Sequence, residues 1–138
     1  MPIRDENNLL EFHHVGLLTE SIESSIPHYA ELFGKQNISN IINIASQNVN
    51  VCFVGVASNN YIELVQPLSE DSVVYKLLKK KISYYHVGYK VSDIERSVAR
   101  LEALNYKSIG YFYSEAFEGK RCIFLFSPET HLIELIEK

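Results

Sequence analysis

Two histidines and two glutamates stand at repeated positions, and together they could hold one cation. His14 and His86 each open a His-Val-Gly tripeptide and lie 72 residues apart, while Glu63 and Glu134 each occupy an Ile-Glu-Leu tripeptide and lie 71 apart. A carboxylate set among apolar strand residues is costly to bury unless it is paired or bound to a cation. A lone strand histidine is most often a hydrogen-bonded core residue, but two His and two Glu at duplicated positions make a stronger case. Imidazole and carboxylate together suit Zn, Ni, Co, Mn or Fe. Two carboxylates balance a divalent charge, and four protein ligands on an octahedral ion leave two positions for water or substrate. Gly16 and Gly88 each follow a candidate histidine by two residues, so they share its strand face. They leave room there, either for a ligand or for close backbone packing.

The elements that must position these residues also come in pairs. Ile22-Glu23 is matched by Ile94-Glu95, Ser25 by Ser97, Ile26 by Val98 and Leu32 by Leu104, all at the 72-residue offset. Internal similarity of this kind points to two related modules. Residues 11–18 and 84–91 read as strands. Ile22, Ile26, Tyr29, Ala30 and Phe33 then fall on one helical face, as do Ile94, Val98, Leu101 and Leu104. Gly34 is a good helix stop, Ser92 with Glu95 reads as a capping box, and Pro27 predicts a late start or a bend in the first helix. Three strands follow in each module, at residues 38–45, 49–57 and 61–65 and again at 106–113, 121–126 and 131–136. Each module is thus β-α-β-β-β. The modules span about residues 9–67 and 83–138, with a linker helix at about 70–82. By strand alternation His13 and His131 point away from the ligand face, and they, with His28, read as surface or structural. Cys52 and Cys122 lie in apolar strands and read as inert.

Composition narrows the class. The chain has 138 residues, 46% of them apolar, and a formal net charge of −4. That is one packed domain without the basic field that attracts nucleic acid. No apolar run is long enough to span a bilayer, residues 1–8 have no signal-peptide core, and two cysteines make no disulfide framework. The expected setting is a cytoplasmic, soluble protein with neither nucleic acid nor membrane as partner. Lys79-Lys80-Lys81, and Lys120 with Arg121, are either solvated surface or a grip for an anionic group.

The segments His13-His14-Val15-Gly16, Ile62-Glu63-Leu64-Val65-Gln66-Pro67, residues 85–94 and Leu132-Ile133-Glu134-Leu135 resemble the vicinal oxygen chelate superfamily. The resemblance runs from about Phe12 to Lys138 and is strongest to methylmalonyl-CoA epimerases and small glyoxalase-I-like proteins. It implies an α+β fold in which two βαβββ modules form a curved, eight-stranded incomplete barrel, and a homodimer. It makes His14, Glu63, His86 and Glu134 the ligands of a divalent metal (Zn, Ni, Co or Mn). The implied chemistry is proton transfer at the carbon beside a carbonyl, on a carbonyl or thioester substrate. Two departures stand out. Epimerases place a further acidic base where this chain has Ser46, and glyoxalase I carries an Arg shortly after its first ligand where this chain has Leu17-Leu18. Glu134 and Glu63 are then the candidate catalytic bases, and Ser46, Gln47 and Arg121 the candidate substrate contacts. A glyoxalase-type lyase is the alternative enzyme. An extradiol dioxygenase is disfavoured because a fourth ligand at Glu63 crowds dioxygen. A non-enzymatic binding protein of the same fold is the remaining alternative.

Overall fold

The computed structural model describes residues 10–138, so the first residue expected in module one lies outside it. The strand-like stretch after Leu10 forms β1 (Glu11–Leu18), followed by α1 (Ile22–Phe33), β2 (Ile42–Ile44), β3 (Val49–Ala57) and β4 (Asn60–Pro67). The helix α2 (Val73–Lys79) links to β5 (Tyr84–Val91), α3 (Ile94–Ala103), β6 (Lys107–Ser114), β7 (Lys120–Ser127) and β8 (His131–Glu137). β1 pairs parallel with β4 and β5 parallel with β8, while β1 and β5 pair antiparallel with each other. The single sheet therefore runs β2-β3-β4-β1-β5-β8-β7-β6. Read outward from the β1–β5 seam, both sides show the same succession of equivalent strands, which is a pseudo-twofold through the seam.

Strand alternation sorts the two faces. Ile22, Ile26, Tyr29 and Phe33 of α1 pack on Cys52, Val54 and Leu64, and Ile94, Val98 and Leu101 of α3 pack on Ile123, Leu125, Ile133 and Leu135. Both helices cover the convex side. Glu63 and Glu134, next in line to Leu64 and Leu135, are thereby turned to the concave side. The sheet curls into a half-barrel whose outer edges approach each other: Ser46 Oγ, on the 3-10 turn after β2, donates to the Tyr113 carbonyl of β6 at 3.4 Å.

Two expectations are corrected and a third is narrowed. Of the two outcomes that Pro27 predicts for α1, the late start does not occur. Ser21 Oγ accepts from the Ser24 amide at 3.2 Å and Gln66 Oε1 from the Ile22 amide at 2.8 Å, so the first turn is satisfied and Pro27 lies inside the helix. Asp93, not Ser92, caps α3, its carboxylate accepting from the Arg96 amide at 3.0 Å. The strand expected at residues 38–45 shrinks to β2. Ile38 makes only an isolated bridge to Val54, and Ser39 Oγ takes up the Phe53 amide, so the chain leaves the ladder before rejoining at Ile42.

Candidate metal centre

The β1–β5 seam brings the two halves of the site together. In its register His14 faces Gly88 and Gly16 faces His86. A Cβ on Gly16 would sit 2.6 Å from His86 Cε1, and a Cβ on Gly88 would overlap the His14 ring. The glycines therefore leave room for the opposite module's imidazole, not for a ligand, and that close crossing is what lets the two rings converge. The 72-residue repeat in sequence becomes a 2.8 Å approach between His14 Nε2 and His86 Nε2.

The carboxylates arrive from the flanking parallel strands, Glu63 on β4 beside β1 and Glu134 on β8 beside β5. Glu63 Oε1 lies 3.4 Å from His14 Nε2 and 3.3 Å from His86 Nε2; Glu134 Oε1 lies 3.2 and 3.3 Å from the same atoms. One donor atom from each of the four residues falls within 4.8 Å of all the others. All four side chains are buried, none more than 5% exposed. Yet Glu134 Oε1 accepts no well-directed hydrogen bond, and His86 Nδ1 has no partner. An unsatisfied buried carboxylate oxygen aimed at two imidazole nitrogens is an arrangement that a bound cation would complete. The spacing fits too, since ligands about 2.1 Å from a shared ion are roughly 3 Å apart when adjacent. The cluster could hold a metal.

The charges follow the geometry. Burial opposes protonation of His86, but the carboxylates of Glu134 and Glu63 outweigh it and hold the ring up at about 9. Burial likewise disfavours ionised Glu134, and the His14 and His86 rings overcome it, keeping the carboxyl down at about 2. Without a cation, then, a proton on an imidazole compensates the two acids.

Aromatic side chains wall the cluster. Phe53 lies 6.0 Å from His14, Phe117 stacks on His14 at 6.1 Å, and Phe124 lies 5.2 Å from His86. Phe53 and Phe124 stand directly across from Glu63 and Glu134 in the sheet. They also sit 71 residues apart in sequence, so the repeat offset could have revealed them. His13, expected to point away, is buried instead, with Nδ1 2.9 Å from His14 Nδ1. The β1–β5 register slips between Phe12 and His14, and that irregularity breaks the alternation on which the expectation rested. Burial, helped by the electrostatic influence of neighbouring His14 and Lys90, drives His13 down to about 4. A groove of about 400 Å³ runs over this wall, lined among others by His13, Phe53, Tyr61, Lys90 and Phe117. Three of these residues therefore touch the groove on one side and His14 on the other.

The other candidate residues are not at the cluster. Ser46 is exposed and engaged with the Tyr113 carbonyl, and Gln47 is half-buried on the same 3-10 turn. Arg121 is tied to Glu95 at 3.0 Å and Glu137 at 2.9 Å, with its guanidinium over the Tyr111 ring. Cys52 and Cys122 are free and buried, and burial pushes both thiols up. His28 and His131 are exposed.

Residues 13–136 match the glyoxalase/bleomycin resistance protein/dioxygenase superfamily. The uncharacterized protein YqjC of Bacillus subtilis (strain 168) is 28% identical over 127 residues, covering 90% of this chain and 89% of its own. The crystal structure of hypothetical protein BH1468 from Bacillus halodurans C-125 is similar with a TM-score of 0.78 at 25% identity, covering 94% of each chain. Methylmalonyl-CoA epimerase from Mycobacterium tuberculosis is similar in fold with a TM-score of 0.78 at 23% identity, covering 98% of this chain and 93% of its own. Among the described residues no helix is long and apolar enough to cross a membrane.

Proposed function

On the premise that the chain belongs to the glyoxalase/bleomycin resistance protein/dioxygenase superfamily, we propose that it is a divalent-metal-dependent isomerase or lyase that moves a proton at the carbon next to a carbonyl. The observation that carries this reading is the convergence of four buried donors on one point. His14, Glu63, His86 and Glu134 would hold the cation, with Zn, Ni, Co and Mn the suitable ions. When bound, the ion supplies Lewis acidity to a carbonyl oxygen that gains charge as the α-proton leaves.

The protein's own residues supply the rest. The groove over His13, Phe53 and Phe117 borders the cluster through side chains that touch His14, and that aromatic lining would limit the access of bulk water to the acids. Glu134 Oε1, buried and without a directed donor, is the atom we assign to take the α-proton, and Glu63 holds the equivalent place in the other module. Ser46 lacks a carboxylate and spends its hydroxyl on Tyr113, which favours a base inside the cluster. The proton then returns to the same carbon, as in an epimerase, or to the neighbouring one, as in a glyoxalase. Likeness of fold to a methylmalonyl-CoA epimerase selects the first substrate to try; a thiol hemithioacetal follows from the missing acid at position 46. A homodimer in the cytoplasm completes the reading.

The test is deuterium incorporation from heavy water into methylmalonyl-CoA and, separately, into methylglyoxal–thiol adducts, using protein reconstituted with each ion. Exchange into either one supports the proposal and names the branch. Protein that takes up no stoichiometric metal and exchanges neither overturns it in favour of a small-molecule binding role.

A further inference from the structure

The pseudo-twofold equates His14 with His86, but their outer nitrogens are not treated alike. His14 Nδ1 lies 2.9 Å from His13 Nδ1, whereas His86 Nδ1 is buried without a partner. The residue equivalent to His13 in the second module is Tyr85, whose ring packs edge-on against His86 at 4.6 Å. The difference arises in the backbone, because the register slip between Phe12 and His14 turns His13 inward.

A neutral imidazole carries a single ring proton. If His14 Nε2 is to present a lone pair to the cluster, its proton must sit on Nδ1, and His13 Nδ1 is the atom placed to accept it. His13 is itself fixed by an aromatic cage, with ring distances of 4.9 Å to Tyr61, 5.3 Å to Phe117 and 5.9 Å to Phe53. Its acceptor nitrogen is thus held in place by packing. We propose that His13 is the positioning residue of the centre: it accepts the Nδ1 proton of His14 and so presets the tautomer and ring plane of the first-module imidazole, leaving His86 as the unset half. The proposal rests on reading the cluster as a cation site. Partners of this kind typically carry about 10–100-fold in metal affinity.

Two substitutions separate the hydrogen bond from packing. His13→Phe keeps an aromatic ring in the cage and deletes the acceptor, while His13→Asn puts an oxygen near the place of Nδ1. In Ni²⁺ competition titrations against a chromophoric chelator, H13F should bind about 10–100-fold more weakly than the wild type, and H13N should recover most of that loss. Long-range ¹⁵N–¹H spectra of the metal-free wild type should show the His14 proton on Nδ1, and H13F should lose that preference. Equal Ni²⁺ affinity in wild type and H13F overturns the proposal, as does a wild-type His14 protonated on Nε2 alone. If the wild type takes up no Ni²⁺, it is the cation reading that fails. The tautomer of His14 still decides the role of His13.

Discussion

A single methyl group tests the crossing at the seam. Gly88→Ala would drive a Cβ into the His14 ring, and Gly16→Ala would do the same to His86. Overpacking at such a site costs about 1–3 kcal/mol and displaces the side chain that must move. Both variants should therefore melt earlier than the wild type and lose metal uptake, G88A more severely; chelator competition and thermal denaturation read the two effects. Glu134→Ala removes both a candidate ligand and the assigned base. Turnover in the exchange assay should be abolished, and a fully active E134A would refute the role given to Glu134. Proton release is a third consequence at this scale. His86 holds its proton up to about 9 in the metal-free protein, and an imidazole ligand must give that proton up. Zn²⁺ uptake at pH 7 should release about one proton per protein from this ring. Calorimetry in buffers of different ionisation heat would show it.

At the scale of elements, the helices matter because they seal the convex face and so force the acids inward. α3 depends on the Asp93 cap, whose carboxylate meets the Arg96 amide at 3.0 Å. Asp93→Ala should destabilise the fold by about 1 kcal/mol, measured by urea denaturation, and leave the Ni²⁺ affinity unchanged. A large loss of affinity would mean that α3 shapes the centre directly. The site itself rests on β1 and β5 crossing antiparallel while each takes its carboxylate from a parallel neighbour. Four elements, two per module, each contribute one donor to the cluster.

For the whole molecule, the charge balance within the His-Glu cluster shows in the pH dependence of stability. His86 is raised from 6.5 to about 9, so its contribution is complete below pH 6.5 and disappears as pH rises through about 9. Glu134 is lowered from 4.5 to about 2, so its contribution is complete above pH 4.5 and disappears as pH falls through about 2. The metal-free protein should accordingly be most stable between about pH 4.5 and 6.5 and should lose melting temperature from pH 6.5 to 9. Cation binding should reverse that slope, because deprotonation then favours the bound state. At a free ion concentration about 100 times Kd, the native state should gain about 2.7 kcal/mol, and a strong chelator should remove it. A melting curve indifferent to both ion and chelator would count against a cation site.

Much of this was legible in the chain. The paired His-Val-Gly and Ile-Glu-Leu tripeptides carry the duplication, and the sequence pattern places the first on a strand that precedes a helix and the second on the last strand of each module. A buried glutamate repeated at an equivalent place already demands a partner, so the four donors could be named from residue types and spacing alone. What spacing could not supply was anything that depends on how strands meet. The purpose of Gly16 and Gly88 is visible only across the seam, where each accommodates the other module's imidazole. The inward turn of His13 comes with a register slip that alternation cannot foresee, and the cage around it is built from β3, β4 and the turn before β7. Local sequence sets which side chains a strand carries and roughly which face each takes. Register between strands far apart in the chain is chosen by the packing of the entire sheet, and it is register that brought the four donors and His13 within bonding distance.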